Sequence, residues 1–191
     1  MPPNPTLNRT CNSVRRPAPF HSGPVAARCR APVSFTLGLT KHRLGMPTFA
    51  LRPAAAEDAD FIYSVYEATA RPLVEGIGAR WAEAKMREKS AAESNDGRTL
   101  LVILQNECAG FINIEERPEE VWLHAIFLLP AFQRTGLGRA LLQVALDRAK
   151  SLSQPVRCQV MSFNPAIGFY KRLGFNVYGE LDGTVLMQSD A

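Results

Sequence analysis

After residue 47 the hydrophobic rhythm of the chain changes several times, and each change predicts an element. Thr48 to Arg52 alternates apolar and polar positions as a short strand does, and Pro53 closes it. From Ala56 to Arg71 the residues Phe61, Ile62, Val65 and Tyr66 fall at helical spacing. Glu57, Asp58 and Asp60 occupy that helix's first turn, where carboxylates suit the positive end of the dipole. Pro72 is expected to end the helix, and a second is expected from Ala79 to Glu93, ahead of the Asn95-Asp96-Gly97 turn. Three strands follow, Thr99 to Gln105, Ala109 to Glu115 and Glu120 to Leu129, joined by short polar connections of hairpin type. Leu137, Leu141, Val144, Ala145 and Ala149 form an apolar helical stripe through Lys150. Pro155 to Met161 reads as a strand, and Pro165 to Leu173 as a helix capped by Gly174. Phe175 to Glu180 and Thr184 to Met187 form a closing hairpin about Asp182-Gly183. The order β-α-α-β-β-β-α-β-α-β-β predicts an α/β domain with a mostly antiparallel sheet and one β-α-β passage near its end.

Composition changes this picture mainly at the start of the chain. Residues 1–45 hold seven basic and no acidic residues, together with seven of the fourteen prolines, and show no sustained periodicity. Such a segment buries too little apolar surface to offset its ordering entropy, so a disordered basic extension is expected over 1–45 and one domain over 46–191. Two readings fit the extension. It has the Arg-rich, acid-free composition of an organellar transit segment, or it is translation upstream of a functional start at Met46. The whole chain carries +4, but from Met46 onward 15 basic residues face 18 acidic ones, a net of −3. The folded part therefore has no electrostatic footprint for nucleic acid.

Cys11, Cys29, Cys108 and Cys158 lie far apart and the histidines are His21, His42 and His124, so no metal-site spacing and no disulfide framework is expected. Cys108 and Cys158 read as small core residues. No secretory signal is apparent, and no apolar run approaches the ~18 residues of a membrane span. The expected compartment is the cytoplasm, with no membrane partner.

The loop Gln133-Arg134-Thr135-Gly136-Leu137-Gly138 lies between a strand and a helix. Free N–H groups of a first helical turn, two glycines and the nearby Arg134 and Arg139 suit an anion. On spacing alone, a plain strand-to-helix turn fits equally well. Two familiar phosphate loops are excluded. The dinucleotide fingerprint lacks its third glycine, since Leu141 stands there, and a Walker loop needs Gly-Lys-Ser/Thr where this chain has Gly138-Arg139-Ala140.

The run Leu128-x-Pro130-x-x-Gln133-x-x-Gly136-Leu137-Gly138-x-Ala140-Leu141 resembles the acyl-CoA-binding signature of the GNAT superfamily of N-acetyltransferases. A second signature of that family is matched by "FNPAIGFYKRLGF", residues 163–175, with Asn164, Ala166, Phe169-Tyr170 and Leu173-Gly174-Phe175 in place. The resemblance covers about residues 48–188. It implies a mixed, mostly antiparallel twisted sheet of about six to seven strands flanked by about four helices, with one parallel, splayed strand pair. It also implies acetyl-CoA as acyl donor, and a small-molecule amine or a protein amino group as acceptor.

The resemblance further assigns roles. Residues Gln133, Arg134, Thr135, Gly136, Leu137 and Gly138, with Arg139 and Ala140 in the first helical turn, would cradle the CoA pyrophosphate. Ile126, Phe127 and Leu128 would offer backbone to the pantetheine arm, and the Leu128 N–H would serve the oxyanion. Asn164 would bind pantetheine; its local reading is a cap before Pro165. Phe169 and Tyr170 would border the cofactor, with Tyr170 protonating the departing thiolate; its local reading is a packing aromatic with a wet tip. His124 stands where the family often has a carboxylate base, and Gln159 stands at the other such place; a lone strand histidine also reads as structural. For the acceptor pocket the first helices offer Tyr63, Tyr66, Arg71, Glu75 and Trp81, which read equally as helix packing. Two other classes compete: a CoA-binding module without turnover, and a polyanion binder acting through its basic tail. A homodimer is compatible with the resemblance.

Overall fold

The computed structural model describes residues 47–189; the expected extension over 1–45 lies outside them. Seven strands, β1 (Ala50–Pro53), β2 (Thr99–Leu104), β3 (Glu107–Glu116), β4 (Val121–Leu128), β5 (Val156–Met161), β6 (Phe175–Leu181) and β7 (Thr184–Ser189), form one sheet in the order β1-β2-β3-β4-β5-β7-β6. The helices are α1 (Ala59–Thr69), α2 (Arg71–Gly76), α3 (Glu83–Ser94), α4 (Leu137–Leu152) and α5 (Ala166–Arg172). Every ladder is antiparallel except β4 with β5. This is the expected mixed, mostly antiparallel sheet with a single parallel pair.

The apolar run of β2 reads as continuous because both faces of the sheet are covered. Val102 and Ile112 join Leu123, Val156, Cys158 and Met187 beneath α4, where Leu137, Leu141, Leu142 and Ala145 are buried. On the opposite face Leu101, Ile103 and Phe111 pack under Ile62, Val65 and Tyr66 of α1. Tyr66 meets Phe111 and Phe127 edge-on at 5.2 and 4.8 Å.

Some elements differ from expectation. Pro72 does not simply stop a helix: α1 ends at Thr69, and Pro72 then sits in the first turn of α2, where a missing N–H leaves nothing unsatisfied. The helix α3 begins at Glu83 rather than Ala79. The closing hairpin forms as expected, with β7 lying between β5 and β6. Cys108 and Cys158 are both buried core residues as expected, but Cys108 is disulfide-bonded, against the expectation of no disulfide, and Cys158 is the free thiol.

Candidate active site

Two irregularities of β4 create the site. The ladder with β3 pairs Asn113 with Ala125 and then Ile114 with Leu123, leaving His124 as an extra residue on β4. Such a bulge bends the strand and raises its twist. On the other edge, β4 and β5 pair only through Val121–Val156, Trp122–Arg157 and Leu123–Cys158. Beyond Leu123 the two strands part, so the sheet is split beside the bulge.

The C-terminal half of β4 lines that split with backbone. Leu129 donates its N–H to Ala109 O on β3 at 2.9 Å, so by strand alternation the N–H of Leu128 points to the opposite, open edge. The Leu128 carbonyl is taken by Gln133 Nε2 at 2.8 Å, which ties the following loop to the strand end. Close approach of β3 and β4 here needs Gly110. With φ +154°, a Cβ on it would lie 2.0 Å from Phe127 O.

The loop then turns into α4 through Arg134 at φ 60° and Gly136 at φ 87°. Gly136 caps α4 in the left-handed conformation that glycine adopts without steric cost, and no side chain caps the helix. The first intrahelical bond runs from Ala140 N–H to Gly136 O at 3.1 Å. The N–H groups of Leu137, Gly138 and Arg139 therefore stand ahead of the ladder, at the positive end of the 16-residue α4, with no acidic residue in the first turn. Arg134 and Arg139 are exposed, and neither forms an ion pair among the described residues. Thr135 Oγ1 donates to Phe132 O at 2.8 Å, fixing the loop's inner turn. This geometry suits a pyrophosphate: unsatisfied donors, a helix dipole and two uncompensated cations.

On the α4–α5 side of the split lies Tyr170, 7% exposed, between Phe169 at 5.2 Å and Phe175 at 5.4 Å. Its hydroxyl makes no hydrogen bond among the described residues. Burial, with a smaller push from Cys158, raises its phenol well above the ordinary range, so it stays protonated. Phe169 reaches across to Gly138, where an added Cβ would touch the ring at 3.6 Å. Asn164 Oδ1 accepts from the Ala166 N–H at 2.9 Å, the local capping role that its position suggests.

The opposite face of the split holds a cavity of about 260 Å³ lined by Trp122, Leu123, His124, Gln159, Met161 and Thr184. His124 Nε2 lies 2.8 Å from Glu115 Oε2, and the two side chains keep 30% and 28% of their surface in solvent. Glu115 also accepts from Arg117 at 2.9 Å and Arg98 at 3.0 Å. These contacts, the His124 hydrogen bond foremost, pull its carboxyl down to about 2. An ionised carboxylate only accepts, so Nε2 carries the hydrogen and Nδ1 of the neutral ring is left as the lone-pair nitrogen. Glu115 belongs to the acidic hairpin cluster, with Glu116, Glu119 and Glu120, that the sequence sets beside His124, whereas Trp122 and Thr184 escape a sequence reading centred on the loop. Their signal is positional: Trp122 and His124 on β4, and Gln159 and Met161 on β5, are alternate outward residues of the two strands that part.

The residues expected to form an acceptor pocket are not gathered around this cavity. Tyr66 is sealed in the core at 3% exposure with its hydroxyl on Glu93 at 2.8 Å, which removes it from any acceptor surface. Arg71 pairs with Glu67 and Glu75 along the outside of α1 and α2. Tyr63 bonds Glu67 and lies under Arg87, and Trp81 packs half-buried against the second core, its Nε1 without a hydrogen-bond partner among the described residues.

Solved structures with this fold come from distant organisms. The chain superposes on the PaiA N-acetyltransferase of Thermoplasma acidophilum, determined in complex with coenzyme A, with a TM-score of 0.60 at 18% identity, covering 75% of this chain and 99% of that one. A GNAT-family acetyltransferase of Listeria monocytogenes gives 0.56 at 22% identity over 75% and 95% of the two chains. An acetyltransferase of Thermus thermophilus gives 0.59 at 21% identity over 76% and 97%. These likenesses establish the fold. The sequence profile of the Acetyltransferase (GNAT) family matches residues 61–175, the stretch holding the split, the glycine loop and Tyr170, and the chain belongs to that family.

Proposed function

We propose that the protein transfers an acetyl group from acetyl-CoA to the nitrogen of an amine. The observation that carries the reading is the split itself. A glycine-opened helix N-terminus lies at one end, a buried protonated phenol on one face and a histidine held by a carboxylate on the other. Acetyl-CoA supplies the thioester whose carbonyl carbon the amine attacks.

The residues of the chain divide the work. The N–H groups of Leu137, Gly138 and Arg139, with Arg134 and Arg139, bind the pyrophosphate. Ile126 to Leu128 present strand backbone to the pantetheine arm, Asn164 and Phe169 border it, and the Leu128 N–H stabilises the oxyanion. His124 Nδ1 accepts the proton released by the attacking amine, directly or through water, while Glu115 fixes the tautomer. Tyr170 gives its hydroxyl proton to the departing sulfur. A phenol is protonated at physiological pH even at its ordinary value, and burial leaves it so.

Thiol release from acetyl-CoA across an amine panel tests the reading, with Tyr170→Phe as the diagnostic variant. It is expected to lower kcat by about a hundredfold while CoA affinity changes less than about threefold, the usual scale of a general acid. Cofactor binding with no release for any amine favours a silent CoA-binding module instead. Unchanged turnover in Tyr170→Phe removes Tyr170 from the mechanism.

A further inference from the structure

We infer that the acceptor is a small, ring-sized amine that is uncharged at neutral pH, such as an aryl amine, and not an alkylammonium or a polycation. The inference rests on the acetyl-transfer reading above, and it comes from the charge balance around the β4–β5 cavity.

No carboxylate lines the cavity among the described residues: its walls are an indole, an imidazole, an amide, a hydroxyl and two apolar side chains. The carboxylates behind those walls are already neutralised. Glu115, behind His124, is shared by Arg117 and Arg98, and Arg98 also meets Asp96. Arg117 lies over the Trp122 ring at 4.6 Å and also binds Glu120, which in turn binds Arg157. In this connected network three guanidiniums match three carboxylates, and one of them, Arg117, is stacked on the indole wall. An ammonium entering the cavity would meet no free anion among these walls, so nothing there offsets the part of its hydration that it gives up. A neutral amine avoids that penalty.

The walls also suit such a ligand. Gln159 donates Nε2 to Thr184 Oγ1 at 2.6 Å, which fixes the amide and leaves its carbonyl oxygen able to accept from an N–H. Trp122 and Met161 provide the apolar and polarizable surface that aromatic rings favour, and Met161 is 52% exposed, open to a ligand. A volume of about 260 Å³, below the ~300 Å³ lower end for drug-sized ligands, accommodates about one ring.

The test compares aniline with cyclohexylamine, rings of similar size of which only the second is charged at neutral pH. Binding of each to the full chain with CoA present is followed by saturation-transfer NMR, and turnover by thiol release. Aniline is expected to bind at least about tenfold tighter, and its kcat/KM to exceed that of cyclohexylamine by at least about tenfold, the scale set by one unpaired group in a site. Gln159→Glu, which adds the missing anion, is expected to shift the binding ratio toward cyclohexylamine by about tenfold or more. Equal or tighter binding of cyclohexylamine by the unaltered chain overturns the inference, whatever the turnover. Preferred binding of aniline without any thiol release sustains the inference about the cavity and refutes acetyl transfer.

Discussion

Gly138→Ala separates what the fold needs from what the ligand needs. The added methyl would lie 3.6 and 3.7 Å from two ring atoms of Phe169 and 3.8 Å from Leu128 Cδ1, all ordinary van der Waals distances. Unlike Gly136, Gly138 does not have a left-handed backbone, and it lies within the first turn of α4. Alanine there is a better helix former by about 0.5–1 kcal/mol, which for a folded region of this size corresponds to a rise in Tm of about 1–4 °C. Nothing in the protein itself therefore calls for glycine. Between Leu128 and Phe169, however, the methyl would stand beside the free N–H groups where the proposed cradle holds the CoA pyrophosphate. Losing one charge-assisted hydrogen bond costs about 1.5–3 kcal/mol, or roughly ten- to a hundredfold in affinity. Calorimetric unfolding without ligand and titration with CoA measure the two effects on one preparation, and they are expected to have opposite signs. Unchanged CoA affinity would refute the cradle, and a clear fall in Tm would refute the steric reading of Gly138.

Gly110→Ala is expected to fail for the opposite reason. Its Cβ would meet Phe127 O at 2.0 Å and Leu128 Cα at 2.8 Å, so β4 must move off β3, at a cost of at least about 3 kcal/mol and about 10 °C in Tm. A Tm within about 2 °C of the parent would refute that packing. Glu115 has a folded pKa of about 2 against an ordinary 4.5, so its stabilisation is present above the unfolded value and is lost as pH falls toward 2. The Tm gap between the parent and Glu115→Gln should then be full above about pH 5 and close on acidification; a gap independent of pH contradicts the pairing.

The parts of the site legible in the sequence are those made by local chain geometry. A glycine-opened turn before an apolar helical stripe, and Asn164 ahead of Pro165, are written in consecutive residues, as is the 3.6-residue spacing that places Tyr170 beside Ala166 and Leu173. What escapes is nonlocal. In β4, Val121, Leu123, Ala125 and Phe127 share one period-two register and read as a single buried face. The structure instead puts Val121 and Leu123 under α4 and Ala125 and Phe127 under α1. The extra residue at His124 flips the register, and a one-residue slip leaves no mark in an alternating pattern. Tyr66 misleads for a related reason. A tyrosine on a helix shows no difference in sequence between an open pocket wall and a sealed core position whose hydroxyl finds a buried partner 27 residues away, here Glu93.

In the proposed reaction, that register flip lets the acid and the base share one gap without sharing an environment. Pairing of β4 with β5 stops at Leu123–Cys158, one residue before the bulge, so the sheet opens where the strand changes face. Consecutive residues of β5 then look in opposite directions. Cys158 faces the dry side with Tyr170, while Gln159 faces the wet cavity with His124. On the dry side the phenol stays protonated; a proton acceptor needs access to water and an anion to hold it. A closed sheet could offer those two settings only on faces separated by a continuous hydrogen-bonded layer. The opening beside the bulge removes that layer over the C-terminal half of β4 and leaves backbone N–H groups at its edge, so the gap opens to both faces at the place where the proposed mechanism puts the thioester carbonyl.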